Sequence, residues 1–263
     1  MQLKNKVTII TGAAKGIGLA CAQRFLTEGS KVILSDIAPS LDDATKEILS
    51  SHREHFQYRA CDVGDAAQVQ GLVDHAVSEF GRLDCVIANA GVVHACPVLD
   101  LTEDDFDKVL RVNLKGVFLT GQIAAKVMVK QEPDQDGSRG TVINMSSVNG
   151  VMTIPDIASY CMAKGGVNQW TKCLAIGLAD QGVRVNGIGP GSINTEMFQS
   201  VANNPDKLKG ILSRTPMGRP GEPDEIAKVA VFLASPYSSY LTGQTIYPDG
   251  GRMGLNYVVP VTT

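Results

Sequence analysis

Short β-branched runs alternate along this chain with stretches whose apolar residues return every three to four positions. Val7-Thr-Ile-Ile-Thr11 reads as a strand that breaks into Gly12-Ala-Ala-Lys-Gly16-Ile-Gly18, after which Leu19, Ala20, Ala22, Phe25 and Leu26 recur at helical spacing. Further strands are predicted over 31–35, 56–60, 83–88, 141–145, 183–188 and 245–247. Helices are predicted over 66–80, from Thr102 past Asn113 to about Lys130, and from Tyr160 to about Gln181. Thr102 with Asp105 three residues on makes a capping-box pattern, so Glu103-Asp104-Asp105 reads as a helix N-terminus that complements the dipole. This alternation predicts an α/β fold: one domain with a doubly wound parallel sheet flanked by helices on both faces. No repeat or linker marks a boundary. Residues 192–223, carrying Met197, Phe198 and several Pro and Gly, have the make-up of a substrate lid or of an inert surface excursion.

Composition narrows the classes. The 263 residues suffice for one large domain, and 44% hydrophobic with 27 glycines suits a soluble α/β protein. The net charge of -3 comes from 24 basic and 27 acidic residues spread along the chain, which argues against nucleic acid or an anionic membrane as partner and for a small ligand. Apolar runs such as 229–234 fall far short of the roughly 18 residues of a membrane span. The polar stub before Val7 does not read as a secretory h-region, so a cytoplasmic location is expected. Cysteines 21, 61, 85, 96, 161 and 173 are scattered, which favours free thiols over disulfides or zinc, and in that setting the sequon at Asn144 reads as chance. His52 and His55 lack a third ligand nearby and read as solvated surface, so no metal is expected.

Three places carry chemistry. The glycines at 12, 16 and 18 let a backbone approach a pyrophosphate, and the helix that follows offers free N–H groups to phosphates, although glycines here can also simply make a tight turn. The second strand ends at Asp36, eighteen residues after Gly18, where a dinucleotide fold places the acid that holds the adenosine ribose. A carboxylate there repels a 2'-phosphate and favours NAD over NADP; Lys15 argues the other way, and Ile37 supplies no second cation. Third, Tyr160 and Lys164 stand four residues apart, on one face of a helix. A desolvated ammonium beside a phenol favours the phenolate, and such a tyrosine can exchange a proton with an alcohol or carbonyl. As a bland alternative, the pair is a packing contact on an exposed helix face.

From about Lys6 to Gly251 the chain resembles the short-chain dehydrogenase/reductase family in its single-domain form, with a Rossmann-type sheet. Thr11-Gly12-Ala-Ala-Lys15-Gly16-Ile17-Gly18 is similar to that family's cofactor turn, Asn89-Ala90-Gly91 to its fourth-strand motif, and Ser147 with Tyr160 and Lys164 to its catalytic signature. Pro190-Gly191 with Ile193 and Thr195 resembles the segment holding the nicotinamide carboxamide, and Asp62 and Val63 stand where the family contacts adenine. The resemblance implies Tyr160 as acid/base, Ser147 on the substrate oxygen, Lys164 lowering the pKa of Tyr160 and binding the ribose, and Asn113 positioning a water that relays the proton. Each has a structural alternative: Asn113 as a kink residue, Asn89 as a turn former, Ser146 in place of Ser147.

The expected substrate walls are His94, residues 148–157 and Met197-Phe198, with Asn149 and Thr153 as polar contacts. The leading expectation is an NAD-dependent oxidoreductase interconverting a secondary alcohol and its ketone. A sugar or polyol is suggested by the flavour of the tail from Gly251 to Pro260. The alternatives are an NADPH-dependent 3-oxoacyl reductase, weakened by the lack of Arg or Lys over 173–181, and a non-catalytic dinucleotide-binding scaffold. The family implies a homotetramer, for which the face around Gly165, Gly166, Val167 and Leu174 is a candidate.

Overall fold

The structure, a computed structural model, describes residues 1–261, with the side chains at 200 and 201 outside the description. Seven parallel strands form one sheet: β1 Val7–Thr11, β2 Lys31–Asp36, β3 Phe56–Ala60, β4 Cys85–Ala88, β5 Gly140–Met145, β6 Val183–Ile188 and β7 Thr245–Ile246. Their order is β3-β2-β1-β4-β5-β6-β7, so the winding reverses between β1 and β4. A crevice opens at such a reversal above the carboxyl ends of the strands, which is where open α/β sheets bind ligands.

Helices cover both faces, and this is why β1, β4 and β5 are buried at every position and rich in apolar residues instead of alternating with exposed polar ones. Ile10, Val32 and Leu34 join Phe25 of α1 (Gly16–Thr27) and Ile226 of α9 (Pro223–Ala234) in one core. Ile9, Ile33, Val86 and Val142 point the other way, to Val69 of α3 (Ala66–Phe80) and Leu119 and Met128 of α5 (Gly116–Met128). Phe25 is 0% exposed, and burying such a ring contributes roughly 1.5–3 kcal/mol.

Local signals set most boundaries. Asp65 caps α3 by accepting from Ala67 and Gln68 N–H, and Gly81 ends it in the left-handed region at φ +78. Thr102 caps α4 (Glu103–Leu110) by accepting from Asp105 N–H. The single helix expected from Thr102 to Lys130 is interrupted, because residues Arg111–Lys115 form a π turn between α4 and α5. The sixth helix, α6 (Ala158–Leu178), carries Tyr160.

Region 192–223 is not irregular throughout. It holds α7 (Glu196–Ala202) and α8 (Pro205–Leu212), the latter capped by Asn204. Two-turn helices bounded by Pro, Gly and Asn are too short for periodicity to reveal, and the same holds for α2 (Asp43–Ile48). The run at 229–234 belongs to α9, whose start the sequence reading also missed. No helix among the described residues is long and apolar enough to cross a membrane. The six cysteines are free, and among the described residues no group of His, Cys, Asp and Glu is arranged to hold a metal.

Candidate active site

The carboxyl ends of β1, β4, β5 and β6 bring the expected residues to one edge of the sheet. Gly12 turns the chain out of β1 at φ +63, and a Cβ there would lie 2.7 Å from Ala90 Cα. A Cβ on Gly18 would lie 2.1 Å from the Gly12 carbonyl oxygen, so only glycine lets α1 start this close to the turn. Asn89 laces the two strand ends together by donating from Nδ2 to the carbonyls of Thr11 and Gly12, both at 3.0 Å. The backbone N–H groups of Asn89 and Ala90 meet Thr11 Oγ1 at 3.0 and 3.2 Å. Asn89 is therefore a structural tie of the turn, and Ala90 and Gly91 present mainly backbone to the crevice. A turn packed this closely, with glycine backbone leading into the start of α1, fits a dinucleotide pyrophosphate.

Asp36 faces this turn. Its carboxylate accepts from Ala14 N–H at 3.1 Å and Ile37 N–H at 2.8 Å, and the Ile37 side chain is exposed. Lys15 reaches across to the first residue of α7, where Nζ lies 2.7 Å from Glu196 Oε2. Glu196, and more weakly Asp36, raise the Lys15 pKa. Gly16 looks onto Thr195 Cγ2, at 3.5 Å from where its Cβ would be, and Ile17 packs on the core. A cleft of about 660 Å³ beside the turn is lined by Gly16, Leu19, Ala20, Thr195, Glu196 and Gln199, among others.

Pro190 and Gly191 are bound on both sides: the Pro190 carbonyl accepts from Val148 N–H at 3.0 Å, and Gly191 N–H donates to Pro248 at 3.1 Å. The side chains of Ile193 and Val63 are buried in the core. These two can offer a ligand only backbone. Asp62 is pinned by Arg111 at 2.6 Å and accepts from Gly64 N–H, and the guanidinium holds its carboxyl below the usual range.

Ser147, Tyr160 and Lys164 converge. Ser147 Oγ accepts from Asn149 N–H at 3.1 Å, which leaves its own proton to donate. It faces the Tyr160 phenol and lowers the phenol pKa, but burial outweighs this and the net shift is upward. Lys164, 3% exposed, donates to the Met145 carbonyl at 2.7 Å, and its Nζ lies 5.5 Å from the centre of the Tyr160 ring. Burial pushes the Lys164 pKa down to about 8. The expectation that Lys164 acidifies Tyr160 is therefore not met here, because burial penalises both charged forms and leaves the ammonium a weakened partner.

Asn113 is fully buried at the π turn. Its Oδ1 accepts from Val92 N–H at 2.8 Å and its Nδ2 donates to the Val92 carbonyl at 2.7 Å. The side chain is thus committed to backbone, as in its structural alternative. Ser146 is also spoken for: its hydroxyl meets Asn168 Oδ1 at 2.7 Å, on the side of α6. Ser147 is the hydroxyl left facing Tyr160. His94 stands 3.6 Å from Asp105 Oδ2, a loop residue held by the α4 cap. Sequence reasoning missed Glu196 and Asn168. The signal for Asn168 was legible, since it follows Lys164 by four residues on the same helix face.

The face around Gly166 and Val167 is largely internal. A Cβ on Gly166 would lie 2.9 Å from Leu114 Cδ1, and Val167 is 0% exposed.

A family model described as enoyl-(acyl carrier protein) reductase matches residues 12–252. The 3-oxoacyl-[acyl-carrier-protein] reductase of Thermotoga maritima is 40% identical over 253 residues, covering 95% of this chain and 99% of that protein. A solved short-chain type dehydrogenase/reductase from Mycobacterium marinum superposes with a TM-score of 0.87 at 34% identity, over 95% of this chain and 96% of the other. A protein provisionally assigned as a 2-deoxy-D-gluconate 3-dehydrogenase, from Agrobacterium tumefaciens and solved with bound NADP, superposes with a TM-score of 0.87 at 30% identity, over 97% and 98%. With the crevice at the β1/β4 reversal and these matches over nearly the whole length, the chain belongs to the short-chain dehydrogenase/reductase family, as a single-domain NAD(P)-dependent oxidoreductase.

Proposed function

We propose that this protein interconverts a 3-oxoacyl compound and its 3-hydroxyacyl alcohol, with Tyr160 exchanging the proton. The observation that carries the chemistry is the apposition of Tyr160, Ser147 and the buried Lys164 at the end of β5. Gly12, Gly16 and Gly18 would hold the pyrophosphate, Asp36 the adenosine ribose, and Pro190, Gly191, Ile193 and Thr195 the nicotinamide end. When bound, the dinucleotide gives a hydride to the carbonyl carbon or takes one from the alcohol carbon.

In reduction, Tyr160 delivers its phenolic proton to the carbonyl oxygen while Ser147 donates a hydrogen bond to the same oxygen. In oxidation, Tyr160 accepts that proton. After reduction the Lys164 ammonium, its pKa lowered by burial to about 8, returns a proton to the phenolate; in oxidation its amine takes one from the phenol before the alcohol reacts. A relay water at the π turn would rest on backbone, because the Asn113 side chain is occupied by Val92.

The choice of a 3-oxoacyl compound over the sugar or polyol first expected has two supports. One is the 40% identity to a protein named for that reaction. The other is the stretch after Ser147, where Val151, Ile154 and Ile157 are apolar beside the polar Asn149 and Thr153. A polyol needs a partner for every hydroxyl it buries, whereas an acyl chain does not. One feature favours the polyol reading: Asn149 Oδ1, two residues after Ser147, is buried with no hydrogen-bond partner in the described structure. Rates on acetoacetyl thioesters and on polyols, with Tyr160→Phe as control, separate the readings; a faster rate on polyols, or an active Tyr160→Phe, rejects the proposal.

Support for the cofactor divides. A solved neighbour holds NADP, whereas the corner that would face a 2'-phosphate carries the carboxylates of Asp36 and Glu196 around one ammonium. We keep NAD(H), because charge acts at the atom by which the two cofactors differ. Residues 192–223 would close over the substrate, and a cytoplasmic homotetramer remains our reading. Its contacts would have to use exposed residues such as Ile176 in place of Gly166 and Val167. Sedimentation measures the subunit number.

A further inference from the structure

Lys164, Asn168 and Thr171 follow one another at helical spacing, and all three are buried, at 3%, 8% and 0% exposure. A buried polar stripe on a helix is costly unless every group is paired. Here each turn of α6 holds one residue of the end of β5. Thr171 Oγ1 accepts from Asn144 Nδ2 at 3.0 Å, Lys164 Nζ donates to the Met145 carbonyl at 2.7 Å, and Asn168 Oδ1 accepts from Ser146 Oγ at 2.7 Å.

Asn168 goes further than its neighbours. Its Oδ1 also receives Thr245 Oγ1 at 3.4 Å, and its Nδ2 donates to the Gly150 carbonyl at 3.3 Å and to Tyr247 Oη at 3.1 Å. One side-chain amide thereby uses its full capacity of two acceptor and two donor bonds. Two of those bonds grip Ser146 and Gly150, the residues on either side of the turn that carries Ser147. The grip is close: a Cβ on Gly150 would lie 2.7 Å from Asn168 Nδ2 and 2.8 Å from the Lys164 carbonyl oxygen.

We infer that Asn168 is a positioning residue for proton transfer: it locks the Ser147 turn onto the helix that carries Tyr160 and Lys164, and so holds the Ser147 hydroxyl against the phenol. The inference rests on the roles proposed above for Ser147 and Tyr160. Its physical content is a distance, since a shift of about 1 Å in a catalytic constellation costs on the order of a hundredfold in rate. Losing the Ser147 hydrogen bond also removes an interaction that favours the phenolate.

The test uses Asn168→Leu, which keeps the branched shape and removes all four bonds, and Ser146→Ala, which removes one of the four together with a longer contact to the Lys164 carbonyl at 3.3 Å. Tyr160 is followed by the titration of ¹³Cζ-tyrosine in full-length protein saturated with NAD, its signal identified by its loss in Tyr160→Phe. Turnover is followed with the acetoacetyl thioester of N-acetylcysteamine. In Asn168→Leu the Tyr160 midpoint should rise and kcat should fall about tenfold to a hundredfold, with the Kd for NADH changed less than about threefold. Ser146→Ala should move both in the same direction by less, and the double variant should fall short of the sum of the two single effects, as expected when two residues share a bond.

A folded Asn168→Leu with a lower Tm but an unchanged Tyr160 midpoint means that Asn168 only stabilises, and overturns the inference. Should Asn168→Leu not fold, an unchanged midpoint in Ser146→Ala overturns it equally. The titration needs no substrate and decides even if the thioester is not turned over. Retained turnover in Tyr160→Phe rejects the acid/base assignment itself. An inactive Tyr160→Phe beside wild-type-like Asn168 and Ser146 variants leaves that assignment standing and removes only the role of Asn168.

Discussion

Lys164 Nζ is 2.7 Å from the carbonyl oxygen of Met145, and no carboxylate among the described residues pairs with it. A buried ammonium held by one neutral acceptor is poorly compensated for its lost hydration, and its pKa of about 8 expresses that. Because the folded value lies below the unfolded 10.5, the unfolded chain binds more protons between these values and stability rises with pH across that window. Lys164→Met should therefore be relatively more stable at pH 7 than at pH 10. Wild type should gain on it by up to about 3 kcal/mol between pH 8 and 10.5, read from urea unfolding at each pH. A constant difference across that window would show that Lys164 is not held near neutrality.

The Lys15–Glu196 pair joins the glycine turn to α7 and engages the cation that, on the proposed binding of the cofactor, would face the 2'-position. An exposed pair of this kind contributes about 0–1 kcal/mol, so Glu196→Gln should shift the NADP/NAD ratio of dissociation constants only about threefold to fivefold toward NADP. Asp36→Asn removes the carboxylate from the same corner and should shift the ratio further, by about tenfold or more. Calorimetry with both cofactors checks the order of the two effects. An unchanged ratio in Asp36→Asn removes the basis for preferring NAD.

Gly18 is hemmed in by the Gly12 carbonyl oxygen and by Asn89 Nδ2, at 2.1 and 2.7 Å from where a Cβ would sit. Gly18→Ala forces the start of α1 away from the turn, an overpacking change that costs about 1–3 kcal/mol. Dinucleotide binding should weaken by about tenfold to a hundredfold, with a lower Tm. Gly177, which has nothing within 4 Å of a Cβ, serves as the contrast: Gly177→Ala should leave binding unchanged.

Burial places the Tyr160 phenol above its ordinary pKa of 10, with the Ser147 hydroxyl opposing the shift. Ser147→Ala should raise it further. The pH at which oxidation reaches half its maximal rate should move up accordingly, because the base is then harder to generate at a given pH. A profile that stays in place in an active Ser147→Ala would mean that the hydroxyl acts on the substrate alone.

Much of the site was legible in the sequence because it depends on local geometry. The glycine turn, Asp36 eighteen residues later and the Tyr160–Lys164 step are relations within a turn or between a strand and the helix after it, and periodicity places those directly. The strands were found for the same reason, since a sheet covered on both faces imposes apolar runs. Pairings between distant segments leave no such trace.

What the sequence determined alone was the order of the strands and of the longer helices, the glycine turn after β1 and the presence of Ser147, Tyr160 and Lys164 at workable spacing. Only the tertiary structure decided which partner each polar side chain takes. It gave Ser146 to Asn168, Asn113 to Val92 and Lys15 to Glu196, 181 residues away, and it turned Gly166 and Val167 inward. Spacing reports which face of an element is buried. The identity of what lies against that face depends on how the whole chain closes around the sheet.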